Sequence, residues 1–135
     1  MKKSWEQIHQ ELSEPFSHED VEWKIQTVSK DKSRGLAVAY VTARAIQNRL
    51  DAVVGAQNWK PVFRQWHTVT DRDGNPIPSQ LCTIQIFDDE RHEWLEKTDG
   101  AENTDYEPVK GGLSDAMKRA ASQWGIGRYL YKLGT

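Results

Sequence analysis

The sequence predicts an α+β fold in which an antiparallel β-β-β meander packs against helices. Three observations predict it. Residues 59–98 hold three stretches rich in aromatic and β-branched residues, separated by turn chemistry. Helical apolar spacing precedes this block, with Ala43, Ile46, Leu50 and Val53 on one stripe. A further helical pattern, with Leu113, Met117, Ala120 and Trp124 sharing a face, follows it. At 135 residues the chain reads as one domain spanning 1–135, long enough to bury a modest core.

Taken in order, Ser4 is placed to cap a first helix, because Trp5, Ile8 and Leu12 repeat on one helical face before Pro15 ends it. Residues 22–28 read as a short strand, and 29–35 as a polar, basic loop. From Leu36 to Val54 the spacing predicts one helix, with Ala39 a turn before the main stripe and Gly55 as the stop. Residues 59–70 alternate as a strand, and Asp71-Arg72-Asp73-Gly74-Asn75-Pro76 makes a turn. Leu81–Phe87 is the second strand of the meander, Asp88-Asp89-Glu90 a charged turn, and Arg91–Thr98 the third strand. Residues 99–109 are acidic and poor in large apolar side chains, which predicts a mobile loop. Ser114 is the predicted cap of a last helix running to Trp124, where Gly125-Ile126-Gly127 breaks it.

Composition excludes several function classes. No run of about 18 apolar residues predicts a membrane-spanning helix. The N-terminus has basic residues without an apolar stretch behind them, so no signal peptide is predicted. The single cysteine, Cys82, lies in an apolar run and reads as a small buried hydrophobe. These features predict a cytoplasmic protein. There is no G-x-x-x-x-G-K-[ST] loop, and the four histidines and one cysteine lack metal-ligand spacing. His92 and Glu93, considered as a nuclease pair, are adjacent on a predicted strand and would point to opposite faces. The expectation is a protein that is not an enzyme and uses no cofactor, metal or small-molecule substrate.

Binding is better supported. The net charge is only −2, but it is unevenly spread. Residues 24–72 hold nine Lys and Arg against three Asp and Glu, and residues 110–135 five against one, while 88–109 hold two against nine. Either the basic blocks share a groove for a polyanion, or opposite blocks pair with each other. Lys118 and Arg119 sit mid-helix among the small residues Ala116, Ala120 and Ala121, where a strand of nucleic acid can approach closely. Lys24, Lys30, Lys32 and Arg34 crowd the first strand and its loop. Six tryptophans are many for this length and imply a Trp-rich core or partner surfaces. Trp66, Trp94, Tyr129 and Tyr131 are candidates for base stacking.

Two motifs resemble a known family. In residues 40–59, Tyr40, Asn48, Gly55 and Trp59 keep the spacing of the helix that opens the Rad fifty-two / Rad twenty-two annealing domain. Residues 110–133, with Ser114-Asp115, an apolar pair, Lys118-Arg119-Ala120 and Trp124-Gly125, resemble that family's signature helix. Glu22-Trp23-Lys24 and residues 30–37 look like its bacterial damage-response branch. The resemblance covers residues 4–133 and implies a β-β-β-α core, assembly into homo-oligomeric rings, and ATP-independent binding and annealing of single-stranded DNA. It assigns Lys118 and Arg119 to the DNA backbone in an inner groove. It gives Lys24 the place of an Arg that the family carries on its first strand. Lys97 and Lys110 are candidates for a second, outer site, and Arg128 completes the DNA-binding set of Lys118, Arg119, Lys24, Lys110 and Arg128. Where the eukaryotic branch often has a further basic residue, this chain has Ser122. The alternative within this resemblance is a ring that protects 3′ DNA ends and anneals poorly.

Overall fold

The computed structural model describes residues 2–28, 35–102 and 108–132, without the side chains of 24–28, 35–38, 67–69, 76–77, 108–110 and 132. Helix α1 (Trp5–Leu12) starts where Ser4 predicts, with the Ser4 hydroxyl accepting from the Gln7 N–H at 3.1 Å. Its end is held from outside. The Arg49 guanidinium donates to the carbonyls of Glu11, Leu12, Glu14 and Pro15 and lies 4.0 Å over the Phe16 ring. One cation thus satisfies carbonyls that a helix end leaves unpaired.

Strand β1 (Val21–Val28) pairs with β2 (Gly35–Val41) as an antiparallel hairpin. This corrects the single helix predicted from Leu36 to Val54. Helix α2 begins only at Ala43 and runs to Val54, capped by the Thr42 hydroxyl, which accepts from the Ala45 N–H at 3.1 Å. The sequence Leu36-Ala-Val-Ala-Tyr-Val41 has the alternating β-branched and aromatic residues of a strand, and its pairing with β1 outweighs a helical stripe that rested on alanines. The end of α2 is as predicted, with Gly55 at a φ of 95°.

The meander is present as a three-stranded antiparallel sheet in the order β3-β4-β5. It comprises β3 (Trp59–Thr70), β4 (Pro76–Asp88) and β5 (Glu93–Glu102). β5 begins two residues later than predicted because residues 89–92 complete a turn, in which His92 takes a φ of 55°. The acidic turn has a structural use. Buried Asp88 accepts from the Trp5 indole at 3.2 Å and from the Glu90 N–H at 3.1 Å. Residues 99–102, predicted as the start of a mobile loop, belong to β5, with Leu81 paired to Gly100 and Gln80 to Ala101. Gly100 makes this pairing possible: a Cβ there would meet Leu81 Cδ2 at 2.8 Å and the Gln80 carbonyl oxygen at 3.0 Å. Residues 103–107 of the predicted loop lie outside the described residues.

Helix α3 (Pro108–Gln123) begins six residues before Ser114. Proline suits a first helical turn, where its missing N–H is not needed, and Gly111-Gly112 stay within the helix despite a cost of about 1 kcal/mol each relative to alanine. Buried Ala116, Met117, Ala120 and Ala121 form the face set against Cys82, Ile84 and Ile86 of β4. The Trp124 indole donates to the Ile84 carbonyl at 3.1 Å, and Gln123 Nε2 donates to the Thr98 carbonyl at 2.7 Å. Cys82 is buried as predicted, and burial pushes its thiol up to about 12. Past Trp124, Gly125 and Gly127 take φ values of 96° and 70° and turn the chain into a 3-10 helix, Arg128–Lys132.

Replacing Gly100 by alanine forces apart the β4–β5 pair, and the expected loss is about 1–3 kcal/mol of stability. Urea unfolding of the two proteins checks this, with an unchanged slope and a lower midpoint as the expected result.

Candidate nucleic-acid interface

The packing of α3 decides where its cations go. Residues 116, 117, 120 and 121 face the sheet, so 118 and 119 lie on the remaining surface. Lys118 is partly buried and Arg119 exposed. Lys118 Nζ stands 5.4 Å from the centroid of the Tyr40 ring, on β2. The same lysine borders a narrow cleft with Ala39, Tyr40 and Val41 of β2 and with Gly127 and Tyr131 beyond α3. The sequence placed Lys118 and Arg119 on a helix surface. The fold sets Lys118 against β2 of the hairpin and leaves Arg119 exposed.

Tyr131 closes the other side of this cleft. Its ring is exposed, yet its phenol is pushed up from its ordinary pKa, mainly by desolvation, with Asp115, Asp99 and Tyr40 adding to the rise and Arg119 opposing it. Tyr131 and Arg119 are therefore electrostatic neighbours. Tyr129, proposed with it as a stacking face, has a structural contact: its hydroxyl oxygen accepts from the Phe16 N–H at 2.9 Å.

The other predicted residues are dispersed. Lys24 pairs in register with Val38, two residues along from the Glu22–Tyr40 pair, so its backbone belongs to the hairpin that walls the cleft. Lys110 lies in the first turn of α3, two turns before Lys118. Arg128 caps α3: its Nε donates to the Ser122 carbonyl at 2.7 Å and a terminal nitrogen to the Gln123 carbonyl at 2.9 Å. Lys97 lies over the Trp124 ring at 5.2 Å. Lys30, Lys32 and Arg34 fall outside the described residues. Trp66 and Trp94 lie on the sheet face turned away from α3, beneath Arg64 at 5.8 Å and Lys60 at 4.5 Å respectively.

The six tryptophans divide cleanly. Trp5, Trp59 and Trp124 each donate their indole N–H, to Asp88, Asp51 and the Ile84 carbonyl. Trp23, Trp66 and Trp94 are exposed. Sequence reasoning did not single out Trp23 or Tyr40 as site residues. Tyr40 belongs to the first motif, but its position against Lys118 depends on β2, whose alanine spacing also fits a helix. Among the described residues, no three His, Cys, Asp or Glu side chains are grouped to hold a metal ion, and no helix is long and apolar enough to cross a membrane.

The sequence profile of the Rad52/22 family double-strand break repair protein matches residues 4–135. The chain belongs to this family. Two relatives are the single-stranded DNA-binding proteins DdrA of Deinococcus deserti and Deinococcus radiodurans. The first is 35% identical over 126 residues, covering 93% of this chain and 57% of the relative. The second is 34% identical over 126 residues, covering 93% of this chain and 55% of the relative. The chain thus spans about half the length of the curated relatives it matches. The Rad52/22 motif around Lys118-Arg119 is the segment that forms α3 and its glycine-rich end.

Within this Rad52/22 chain the Arg128 contacts are structural, so Arg128→Ala is expected to cost about 1 kcal/mol of stability through the lost cap. Arg119→Ala, at an exposed position, is expected to stay within about 0.5 kcal/mol of the parent. Thermal unfolding of both variants separates the two roles.

Proposed function

We propose that this chain binds single-stranded DNA along the cleft between α3 and the β1–β2 hairpin and anneals complementary strands without ATP, as one subunit of a homo-oligomeric ring. The observation that carries the reading is the position of Lys118 and Arg119, side by side on α3, with Lys118 against a hairpin wall that includes Tyr40 and Arg119 exposed next to it. Two adjacent cations on a rigid helix suit successive phosphates. A helix braced on a sheet also holds them in place before DNA arrives, which reduces the ordering cost of binding. Membership of the Rad52/22 family and the single-stranded DNA-binding relatives support the same reading.

One copy offers cations for only a few phosphates. A closed ring repeats the Lys118-Arg119 pair and makes a continuous track. In that arrangement phosphates lie against the helix, and base edges point outward to test a second strand. The sheet edge supports self-association: among the described residues β3 pairs on one side only, with Val62 and Phe63 exposed on its opposite faces at 48% and 41%. An exposed apolar edge of this kind is normally covered. Lys24, on β1, and Lys110, in the first turn of α3, belong to the proposed DNA-binding set by the place of their backbone in the fold. Arg128 has a further exposed surface beside its capping contacts.

The test is fluorescence anisotropy with a labelled single strand across a salt series, comparing the parent with Lys118→Ala/Arg119→Ala while light scattering monitors assembly. The double variant is expected to stay assembled and bind about tenfold or more weakly. Its slope of log K against log salt should fall by about 1.4, the value for two lost phosphate contacts on a single strand. Equal binding by the two proteins would remove α3 from the interface. A parent that binds but does not speed the pairing of complementary strands would replace annealing with end protection.

A further inference from the structure

We propose that Trp23 and Tyr131 form an aromatic seat for an unpaired base beside the Lys118-Arg119 pair, so that the site selects single strands by their bases as well as by their phosphates. This rests on the reading of the cleft as the DNA site and adds the feature of the strand that is recognised.

Trp23 and Tyr131 are the most exposed large hydrophobic residues in the described structure, each at 60%. They come from distant parts of the chain, and each neighbours Ala39. Trp23 stands directly across from Ala39 in the hairpin register, and Tyr131 borders the cleft that Ala39 lines. Ala39 is itself buried and small, which leaves room above it for a flat ligand. The half of the chain that carries Tyr131 is fixed there by Gly127, where a Cβ would come within 3.0 Å of Val41 Cγ1 on the same hairpin.

Other exposed tryptophans have a different setting. Trp66 and Trp94 each lie beneath a cation of their own sheet and belong to the face opposite α3. Tyr131 instead lines one cleft with Lys118 and is close enough to Arg119 for the guanidinium to act on its ionisation, and Trp23 is the register partner of Ala39 in the wall of that cleft. Aromatic faces beside a basic track are how proteins hold single strands without reading sequence, because every base has a π face. In a duplex those faces are occupied by neighbouring base pairs. Stacking also leaves the hydrogen-bonding edge of the base available, so a seated strand can still pair with its complement.

The test compares two oligonucleotides of equal length and phosphate count, one normal and one with a run of abasic sites. The parent protein is expected to bind the abasic strand about tenfold more weakly, in keeping with the contribution of one stacked base. In Trp23→Ala/Tyr131→Ala the ratio of the two affinities should fall towards one, while Trp23→Phe/Tyr131→Phe retains most of it. Lys118→Ala/Arg119→Ala should weaken both strands and leave the ratio as it was. Equal affinity of the parent for both strands would overturn the inference and leave the phosphate site standing. A double alanine variant that keeps the ratio but loses assembly would also overturn it, and would assign the two rings to a subunit contact. Failure of the parent to bind either strand at low salt would remove the DNA-binding reading itself.

Discussion

The seating of α3 on β4 and β5 is the contact on which the other arrangements depend. Ala116, Met117, Ala120 and Ala121 present a flat, mostly small surface to Cys82, Ile84 and Ile86, so the helix can lie close to the sheet. Close packing of this kind leaves little freedom to rotate the helix about its axis. Polar contacts at its far end fix it further. Trp124 donates to a buried strand carbonyl, Gln123 to the end of β5, and Arg128 folds back to cap the last turn. With the buried face set, Lys118 lies against the hairpin and Arg119 is left exposed near Tyr131.

The hairpin depends on the same helix. The chain leaving α3 turns through two glycines with positive φ and lays Ile126, Gly127 and Leu130 against β2, where Ala39 and Val41 are buried. The cleft is thus made by the beginning and the end of the chain. The middle of the chain supplies the platform. On the opposite side, Arg49 and Asp88 hold α1 to the core by satisfying carbonyls and an indole, and Trp5 stacks on Trp124 at 6.0 Å. Acidic Asp88 and basic Arg49 are therefore structural, although each belongs to a charge block that, read as sequence, pointed to solvent or to a partner.

Much of this was legible in the sequence, for reasons that differ from element to element. Ser4, Gly55 and Gly125–Gly127 act through local chemistry, and they cap or break helices where local rules place them. The meander was legible because its turns carry Asp, Asn and Gly between alternating strands. The hairpin was half legible: β1 has strand character, but β2 is short and alanine-rich, and only its pairing with β1 separates it from the helix that follows. The start of α3 was missed because Gly111-Gly112 read as a break, whereas a helix braced on a sheet tolerates them. Lys118 and Arg119 were identified through motif and charge. The setting of Lys118 against Tyr40 joins segments roughly 80 residues apart, which no local pattern encodes.

The most direct test of the account is residue-specific footprinting of lysine and arginine, by acetylation and by phenylglyoxal, with and without a saturating single-stranded oligonucleotide. The account predicts that Lys118 and Arg119 lose reactivity on binding, while Lys60 and Arg64 on the far face of the sheet keep theirs. Protection of Lys60 and Arg64 with Lys118 and Arg119 unchanged would contradict it and move the DNA to the opposite face of the molecule.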